Sequence, residues 1–509
     1  MEIFDNILPP PEDLKVIMTK LKALEVKEGG RLMEEQPLSP AACLFHQPHF
    51  NCHILAIMGS NTKINFEAVR AGLEKTLIKH PRFSSIQVLD KSKNFDKMKW
   101  VPTLVNLDDH ICVPDLDPNM EEADKYVEDY ICDLTKTTLD MSKPLWDLHL
   151  LNVKIKNAEA VGIFRIHHSL GDGASLMSLL LSLTRKTSDP NALPTVPVKK
   201  ATDSKKDHKL WFLFMVIWVI WLIIQLVRNT LIDIIAAICS VVFLRDSQTH
   251  LRGEPGAVYA YKRIVYRTVS LDDIKMVKNT MGVTINDVVL GVTAAGLSRY
   301  LNRRYGEKKP RGLIVRRKSG LPKNIRLRAT LLVNIRPSVG IQALADMMEK
   351  NRVDAQWGNW LGIVLLPFHI VLRDDPLDYV RDAKAVIDRK KLSLEAIYTF
   401  ASAALVVKSI GIKVASFFAK QLLRQTTMTF SNVVGPLEEI SFYGHSMTFL
   451  APSVYGHPQG VTIHFQSYID KMTIVLGVDE KCVPDPHQLC DDMEESLKLI
   501  TNAAIAKRG

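Results

Sequence analysis

Residues 210–227, LWFLFMVIWVIWLIIQLV, are apolar at every position except Gln225, and three of the eighteen are tryptophan. As a helix rising about 1.5 Å per residue, the run extends about 27 Å, close to the hydrocarbon thickness of a bilayer. Apolarity on every face over this length, with indole rings to seat at an interface, favours lipid surroundings over a soluble core helix. Residues 230–244, TLIDIIAAICSVVFL, form a second and shorter apolar run that carries Asp233. It reads either as a second membrane arm or as an interfacial or buried helix. In a two-arm hairpin, Arg228 and Asn229 make the connection at the far end.

The chain on either side of this insertion alternates between strand and helix patterns. Residues 51–59 and 160–168 have strand composition, and residues 66–80 carry helical periodicity. Residues 186–201 are proline-rich and polar, as in a linker, and residues 252–260 read as a second one. A new α/β unit starts with strand-like residues 261–270. Its first helix begins near Thr284, where Thr284 and Asp287 have the spacing of an acidic capping box. Further strands are expected at 328–337, 426–436, 460–469 and 471–479, the last two as an antiparallel pair turning at Asp470. The divisions are a lead-in (1–35), an N-terminal unit (36–200), the linker and hydrophobic insertion (201–255), a C-terminal unit (256–500) and a tail (501–509).

With 509 residues the chain is long enough for two such units, each with its own core. Eleven basic residues between Arg303 and Arg328 face one acid, Glu307, an excess equal to the whole formal charge of +10. Such a cluster suits the phosphates of a cofactor or the headgroups of anionic lipid, with Arg316, Arg317 and Lys318 at its centre; a solvated loop is the bland alternative. No nucleic-acid-binding pattern accompanies it. The seven scattered cysteines lack the spacing of a zinc site and suit a reducing compartment. The acidic, proline-broken start lacks the character of a secretory leader.

The sharpest local feature is His167-His168-Ser169-Leu170-Gly171-Asp172-Gly173. It follows a strand pattern and precedes the apolar helical run ASLMSLLLSL. The histidines therefore sit at a strand end, with Asp172 near a helix start where free backbone N–H groups favour an anion. Gly171 and Gly173 allow a tight turn around that aspartate. An imidazole with an ordinary pKa near ~6.5 takes up a proton at neutral pH, and an alcohol attacks a thioester readily only once a base removes its proton. His168 is assigned as that base. His167 points to the opposite face and supports the domain, and Asp172 fixes the turn. Adjacent strand histidines face opposite sides, and no third ligand is evident, so no metal site is expected. A purely structural histidine pair remains open on pattern alone. No G-x-S-x-G elbow supports a serine hydrolase.

HHSLGDG resembles the HHxxxDG signature of the chloramphenicol acetyltransferase-like acyltransferases. With PLSP at 37–40, PLWDLHLL at 144–151, Asn286-Asp287 in TINDVVLGV, VNIRP at 333–337, GNWLGIVLLP at 358–367 and SNVVGP at 431–436, the chain resembles the plant-type bifunctional wax ester synthase/diacylglycerol acyltransferase family over roughly residues 36–500. The resemblance implies an α/β fold of two chloramphenicol acetyltransferase-like domains facing a shared tunnel, here with a hydrophobic hairpin inserted between them. It implies fatty acyl-CoA as co-substrate, no tightly bound cofactor, and a long-chain fatty alcohol or diacylglycerol as acceptor. It maps the catalytic base to His168 and a structural role to Asp172. Asn286 becomes a candidate to orient substrate or stabilise an oxyanion, with a plain helix-start role as its rival. Asn432 and Gly435 become candidates for the tunnel wall, with a strand-to-turn exit as theirs.

Both domains build one tunnel, so both lie on one side of any membrane. The insertion must then cross twice or not at all. Asp233 makes a full crossing costly, by roughly 2.5–3.5 kcal/mol at mid-bilayer. The endoplasmic reticulum membrane, with catalytic domains in the cytosol, is the expected location. The competing readings are a superfamily acyltransferase for a smaller alcohol or amine, and a lipid-binding protein without catalysis.

Overall fold

A computed structural model of the chain describes residues 36–48, 50–90, 97–117, 119–196, 209–252, 261–307, 320–335, 341, 344–346 and 357–508. The N-terminal half runs through β1 (Gln36–Pro37), α1 (Pro40–Leu44), β2 (His53–Ser60), α2 (Phe66–Lys75), β3 (Ser85–Asp90), β4 (Lys97–Pro102), β5 (Ile111–Cys112), α3 (Ala123–Thr135), β6 (Trp146–Leu151), β7 (Ala160–His167), α4 (Gly173–Leu183) and β8 (Thr184–Lys186). The long apolar helix α5 (Lys209–Val242) follows. The C-terminal half contains β9 (Arg263–Ser270), α6 (Leu271–Met281), α7 (Ile285–Glu307), β10 (Arg326–Asn334), β11 (Leu361–His369), α8 (Leu377–Lys391), α9 (Glu395–Ser409) and α10 (Ile412–Gln425). It ends with β12 (Met428–Val433), β13 (Ile440–Phe442), β14 (His445–Tyr455), β15 (Val461–Tyr468), β16 (Lys471–Val478) and α11 (Pro486–Arg508).

Two large sheets organise these elements, one of seven strands in the order β5-β6-β7-β2-β14-β13-β8 and one of six in the order β11-β10-β12-β15-β16-β9. The first sheet alternates cleanly, as a sheet buried on both faces must. Ile54 and Met58 of β2, with Phe164 and Ile166 of β7, pack with residues of α2 and α4. Leu55, Ile57, Val161 and Ile163 face the other way, onto α3 and onto Ile264 and Val475 of the second sheet. That second sheet covers its far face with α6, α7, α8 and α11. Asp147 of the PLWDLHLL stretch makes a bidentate pair with Arg165 of β7, and Trp146 Nε1 donates to the Phe83 carbonyl, so this motif braces the strand that delivers the histidines.

The division at residues 200 and 256 is not kept in space. β14 pairs along its length with β2, from Met447 opposite Ser60 to Tyr455 opposite His53, and β13 pairs with β8. Residues from the C-terminal half thus complete the N-terminal sheet. The alternation of β14 matches either sheet, and the sequence carries no mark of which strand it joins. The expected tail at 501–509 continues α11 as far as Arg508. The capping box is present, with Thr284 N donating to Asp287 Oδ2 at 2.7 Å and Asp287 N to Thr284 Oγ1 at 3.3 Å. The lead-in, residues 1–35, lies outside the described residues.

The expected hairpin is instead one continuous helix of 34 residues, about 51 Å long. No proline or glycine interrupts it at Arg228-Asn229. From there on, Asn229, Asp233, Ala237 and Ser240 form one buried stripe at helical spacing. Asp233 takes ion pairs from Arg389 at 2.8 Å and Lys390 at 2.9 Å, and Lys390 also meets Glu395 at 2.6 Å. Ala237 packs with Leu365 and Leu422. The charge that made Asp233 costly in lipid is therefore neutralised by the protein. From Val216 to Arg228 no described side chain is buried, and Ile217, Trp218, Ile220 and Trp221 are exposed.

Just past the helix, buried Asp246 receives Arg328 Nε at 2.7 Å, Arg328 N at 2.8 Å and Thr427 Oγ1 at 2.7 Å. The same guanidinium donates to Ser240 Oγ and to the Leu244 and Gln425 carbonyls. Removing one partner of such a pair leaves a buried charge uncompensated. Arg328→Met is expected to lower stability by about 3–5 kcal/mol, read as a shifted denaturation midpoint in detergent. An unshifted midpoint would mean that the guanidinium does not hold the helix end to β10.

Candidate active site

β7 ends at His167, which pairs with His53 of β2, and the chain then turns through a short 3-10 segment, His168–Leu170. The turn is fixed by backbone bonds, with His167 N donating to the Leu145 carbonyl at 3.0 Å and His168 N to the Cys52 carbonyl at 2.8 Å. Asp172 is fully buried and caps α4, accepting from Ser175 N at 2.8 Å. Here the glycines differ from expectation. Neither takes a left-handed conformation. A Cβ at Gly171 would lie 2.9 Å from the Trp357 ring, whereas one at Gly173 would meet nothing within 4 Å. Gly171 is thus explained by the neighbouring indole, and Gly173 by neither turn geometry nor space.

The two histidines have separate surroundings. His167 is held at both nitrogens, Nδ1 to Ser169 Oγ at 2.6 Å and Nε2 to Asn51 Oδ1 at 2.8 Å. Ser169 Oγ is in turn bonded to Gln87, and Gln87 Oε1 to His46 Nε2 at 2.5 Å. Burial, with His46, His53 and His168 close by, holds the His167 pKa well below its ordinary value. It is a neutral, fully satisfied support. The His168 ring instead stacks on Phe45 with centroids 4.1 Å apart, and its buried Nδ1 has no hydrogen-bond partner of good geometry among the described residues. Burial lowers its pKa, opposed in part by its own carbonyl, by Asp172 and by Asn359. At pH 7 it is an unprotonated base.

Three side chains that sequence reasoning did not assign complete this environment. Asn359 Nδ2 donates to the His168 carbonyl at 3.0 Å and to the Ser169 carbonyl at 3.2 Å, and Trp357 Nε1 donates to the Leu170 carbonyl at 2.5 Å. The C-terminal half thereby holds the histidine turn. His464, on the face of β15 opposite the packed Ile463 and Phe465, bonds the Pro452 carbonyl of β14 at 3.2 Å. Burial, with a smaller contribution from the nearby His168, drives its pKa down to about 4 against the Pro452 hydrogen bond. The only sequence signal for Asn359 was its place in GNWLGIVLLP, which carried no role; His464 gave none.

Asn286 and Asn432 lie 146 residues apart in sequence and meet directly, Asn432 Nδ2 donating to Asn286 Oδ1 at 2.7 Å. The pair joins the start of α7 to the end of β12. Among the described residues no hydrogen bond links it to His168. Gly435 stands where a Cβ would be 2.0 Å from the Ser467 carbonyl oxygen, so close packing of the turn against β15 accounts for that glycine. Arg316, Arg317 and Lys318 lie outside the described residues. Of the basic cluster around them, Arg328 is consumed by Asp246, and Arg303 by Asp492 at 2.7 Å. Among the described residues no three His, Cys, Asp or Glu side chains gather as a metal site.

A proton-accepting role for His168 requires its neutral form, and its lowered pKa supplies that form at and above pH 7. The expected kcat/KM profile is flat above pH 7 and falls on an acid limb with an apparent pKa below 6.5. A limb centred at pH 7 or higher would contradict a desolvated base.

Residues 48–289 match the wax ester synthase/diacylglycerol acyltransferase catalytic domain family, and residues 357–501 match the WS/DGAT C-terminal domain family. The chain is 49% identical over 488 residues to wax ester synthase/diacylglycerol acyltransferase 11 of Arabidopsis thaliana, covering 95% of this chain and 98% of that protein. It is 50% identical over 481 residues to wax ester synthase/diacylglycerol acyltransferase 5 of the same plant, covering 92% and 93%. Among solved structures, the wax ester synthase/diacylglycerol acyltransferase from Marinobacter aquaeolei VT8 superposes with a TM-score of 0.57 at 16% identity, covering 92% of this chain and 99% of that one. At that identity the likeness speaks for the fold.

Proposed function

Because this chain belongs to the wax ester synthase/diacylglycerol acyltransferase family and is an acyl-CoA-dependent O-acyltransferase, we propose that His168 is the general base for direct acyl transfer to a lipid alcohol. The observation that carries the assignment is the contrast between the paired histidines. His167 has both nitrogens bonded, whereas His168 is buried, neutral and stacked on Phe45.

In the proposed step, the acceptor hydroxyl gives its proton to Nε2 of His168 as its oxygen attacks the thioester carbonyl carbon. The tetrahedral intermediate collapses with cleavage of the C–S bond. The proton held on His168 passes to the departing sulfur, so the products are an ester and free coenzyme A. One group thus serves as base and then as acid, and no covalent enzyme intermediate forms. Asn359 positions the turn, Asp172 anchors the start of α4 behind it, and His464 contributes a neutral polar wall.

The proposed acceptors are long-chain fatty alcohols, giving wax esters, and diacylglycerol, giving triacylglycerol. A tunnel between the halves would admit acyl-CoA and acceptor from different ends, with the Asn286–Asn432 pair, Gly435, Gly171 and Gly173 contributing to its walls. The basic stretch containing Arg316, Arg317 and Lys318 is the proposed meeting point for coenzyme A phosphates or lipid headgroups. The enzyme would work at the cytosolic face of the endoplasmic reticulum, held there by the apolar helix α5.

Membranes carrying the parent enzyme or His168→Ala, given labelled palmitoyl-CoA with equimolar hexadecanol and diacylglycerol, test this reading. Wax ester, triacylglycerol or both are expected from the parent. Loss of a general base costs about 10²–10⁴-fold, so product from His168→Ala should approach background. Unchanged product would remove His168 from the mechanism.

A further inference from the structure

Helix α5 is long and apolar enough to cross a membrane from Val216 to Val242, yet its attachments to the rest of the fold argue against a crossing. Its C-terminal end is fixed to the catalytic unit through Asp233, Ala237, Ser240 and the Asp246–Arg328 pair. Its N-terminal end, Lys209, is separated from Val196 by twelve residues, 197–208, which include four lysines and two aspartates. Val196 belongs to the N-terminal half, which shares its sheet with β13 and β14 of the C-terminal half. Both ends of α5 are therefore tied to one body. A single crossing would drag that charged segment back through the hydrocarbon, at about 2.5–3.5 kcal/mol per charged residue near its centre.

The neighbours of α5 show what it does instead. α9 and α10 pack on each other and on α5. They too turn large apolar side chains outward, with Leu405 66% exposed, Phe417 60% and Ile410 58%. The charges on these three helices and the residues just after α5 are sorted by sign. All the acids, Asp233, Asp246 and Glu395, are buried. The exposed charges, Arg228, Arg245, Lys408, Lys413 and Arg424, are all basic. An apolar face whose own helices carry only basic exposed charges is complementary to an anionic lipid surface, and a helix about 10 Å across fits within one leaflet of about 15 Å.

The same platform lies one helix away from the chemistry. α1 packs on α9, on α10 and on the His168–Leu170 turn, and Phe45 at its end stacks on His168. Val407 and Ile412, from α9 and the start of α10, belong to the core that contains Leu170.

We propose that α5, α9 and α10 form one monotopic docking face that sits in a single leaflet of an anionic bilayer, with α5 lying in the membrane plane, and that lipid acceptors reach His168 laterally from that leaflet past α1. The lateral route rests on the acyltransferase reading; the docking face does not.

Two measurements on the full-length enzyme test it. In sealed microsomes, epitope tags placed within 200–206 and within 253–258 should both be open to protease from the cytosolic side without detergent. One protected and one open would mean that α5 crosses, and would overturn the proposal. Separately, Leu405→Glu/Phe417→Glu should cut flotation with phosphatidylcholine–phosphatidylserine vesicles about tenfold. It should reduce turnover of vesicle-borne hexadecanol to a similar extent while leaving turnover of soluble butanol within about twofold. Unchanged flotation would remove α9 and α10 from the membrane face, and unchanged hexadecanol turnover would remove the lateral route. Flotation and tag exposure report on docking even if the parent enzyme acylates neither alcohol, an outcome that counts against the catalytic reading instead.

Discussion

The pairing of β14 with β2 is the constraint on which the rest of this structure depends. Eight paired positions, from Met447 opposite Ser60 to Tyr455 opposite His53, place a strand from late in the chain at the centre of the early sheet. The N-terminal half cannot complete its sheet alone, so the two fold as one body even though each has a large core of its own. β2 also pairs with β7, whose last residue is His167. The strand that carries the histidines is thus two ladders away from the residues contributed by the other half. β15, next along the chain, brings His464 to the same region.

Burial does much of the chemical tuning in this arrangement. Desolvation is the leading cause of the lowered pKa at His53, His167, His168, His457 and His464. A cluster of imidazoles close together in a dry interior resists protonation collectively, since each cation would repel the next. The cost appears at low pH. A histidine whose folded pKa is depressed contributes its full stability above the unfolded value of about 6.5 and loses it as the pH falls through the folded value. For His53 and His464 that window extends down to about 4. The interior that keeps His168 unprotonated is therefore acid-sensitive by construction.

The same single-body constraint gives the apolar helix its meaning. Composition alone marks α5 as a membrane span; in the fold it packs on α9 and α10 at the surface of one folded unit. Asp233 illustrates the difference. Read in the sequence, it is an obstacle to crossing. In the fold it is the anchor that meets Arg389 and Lys390 and turns one stripe of the helix toward protein, leaving the opposite face exposed.

Much was legible in the sequence because it depended on neighbours a few residues apart. The strand ending at His167, the capping box of Thr284 and Asp287, the cap at Asp172 and the different surroundings of His167 and His168 all follow from alternation, helix-start chemistry and a short motif. The family itself was legible from an ordered set of such motifs. The basic cluster misled in part, because charge counting does not see that Arg328 and Arg303 are spent on buried or half-buried acids. Gly171 was read as a turn residue, whereas the structure places it against Trp357, far along the chain. Asn359 holding the histidine turn, Asn432 bonded to Asn286, β14 joining the first sheet and the straightness of α5 were decided only by tertiary structure. Each depends on contacts between residues tens to hundreds of positions apart, and local pattern carries the chemistry of a residue but not the identity of the distant partner that completes it.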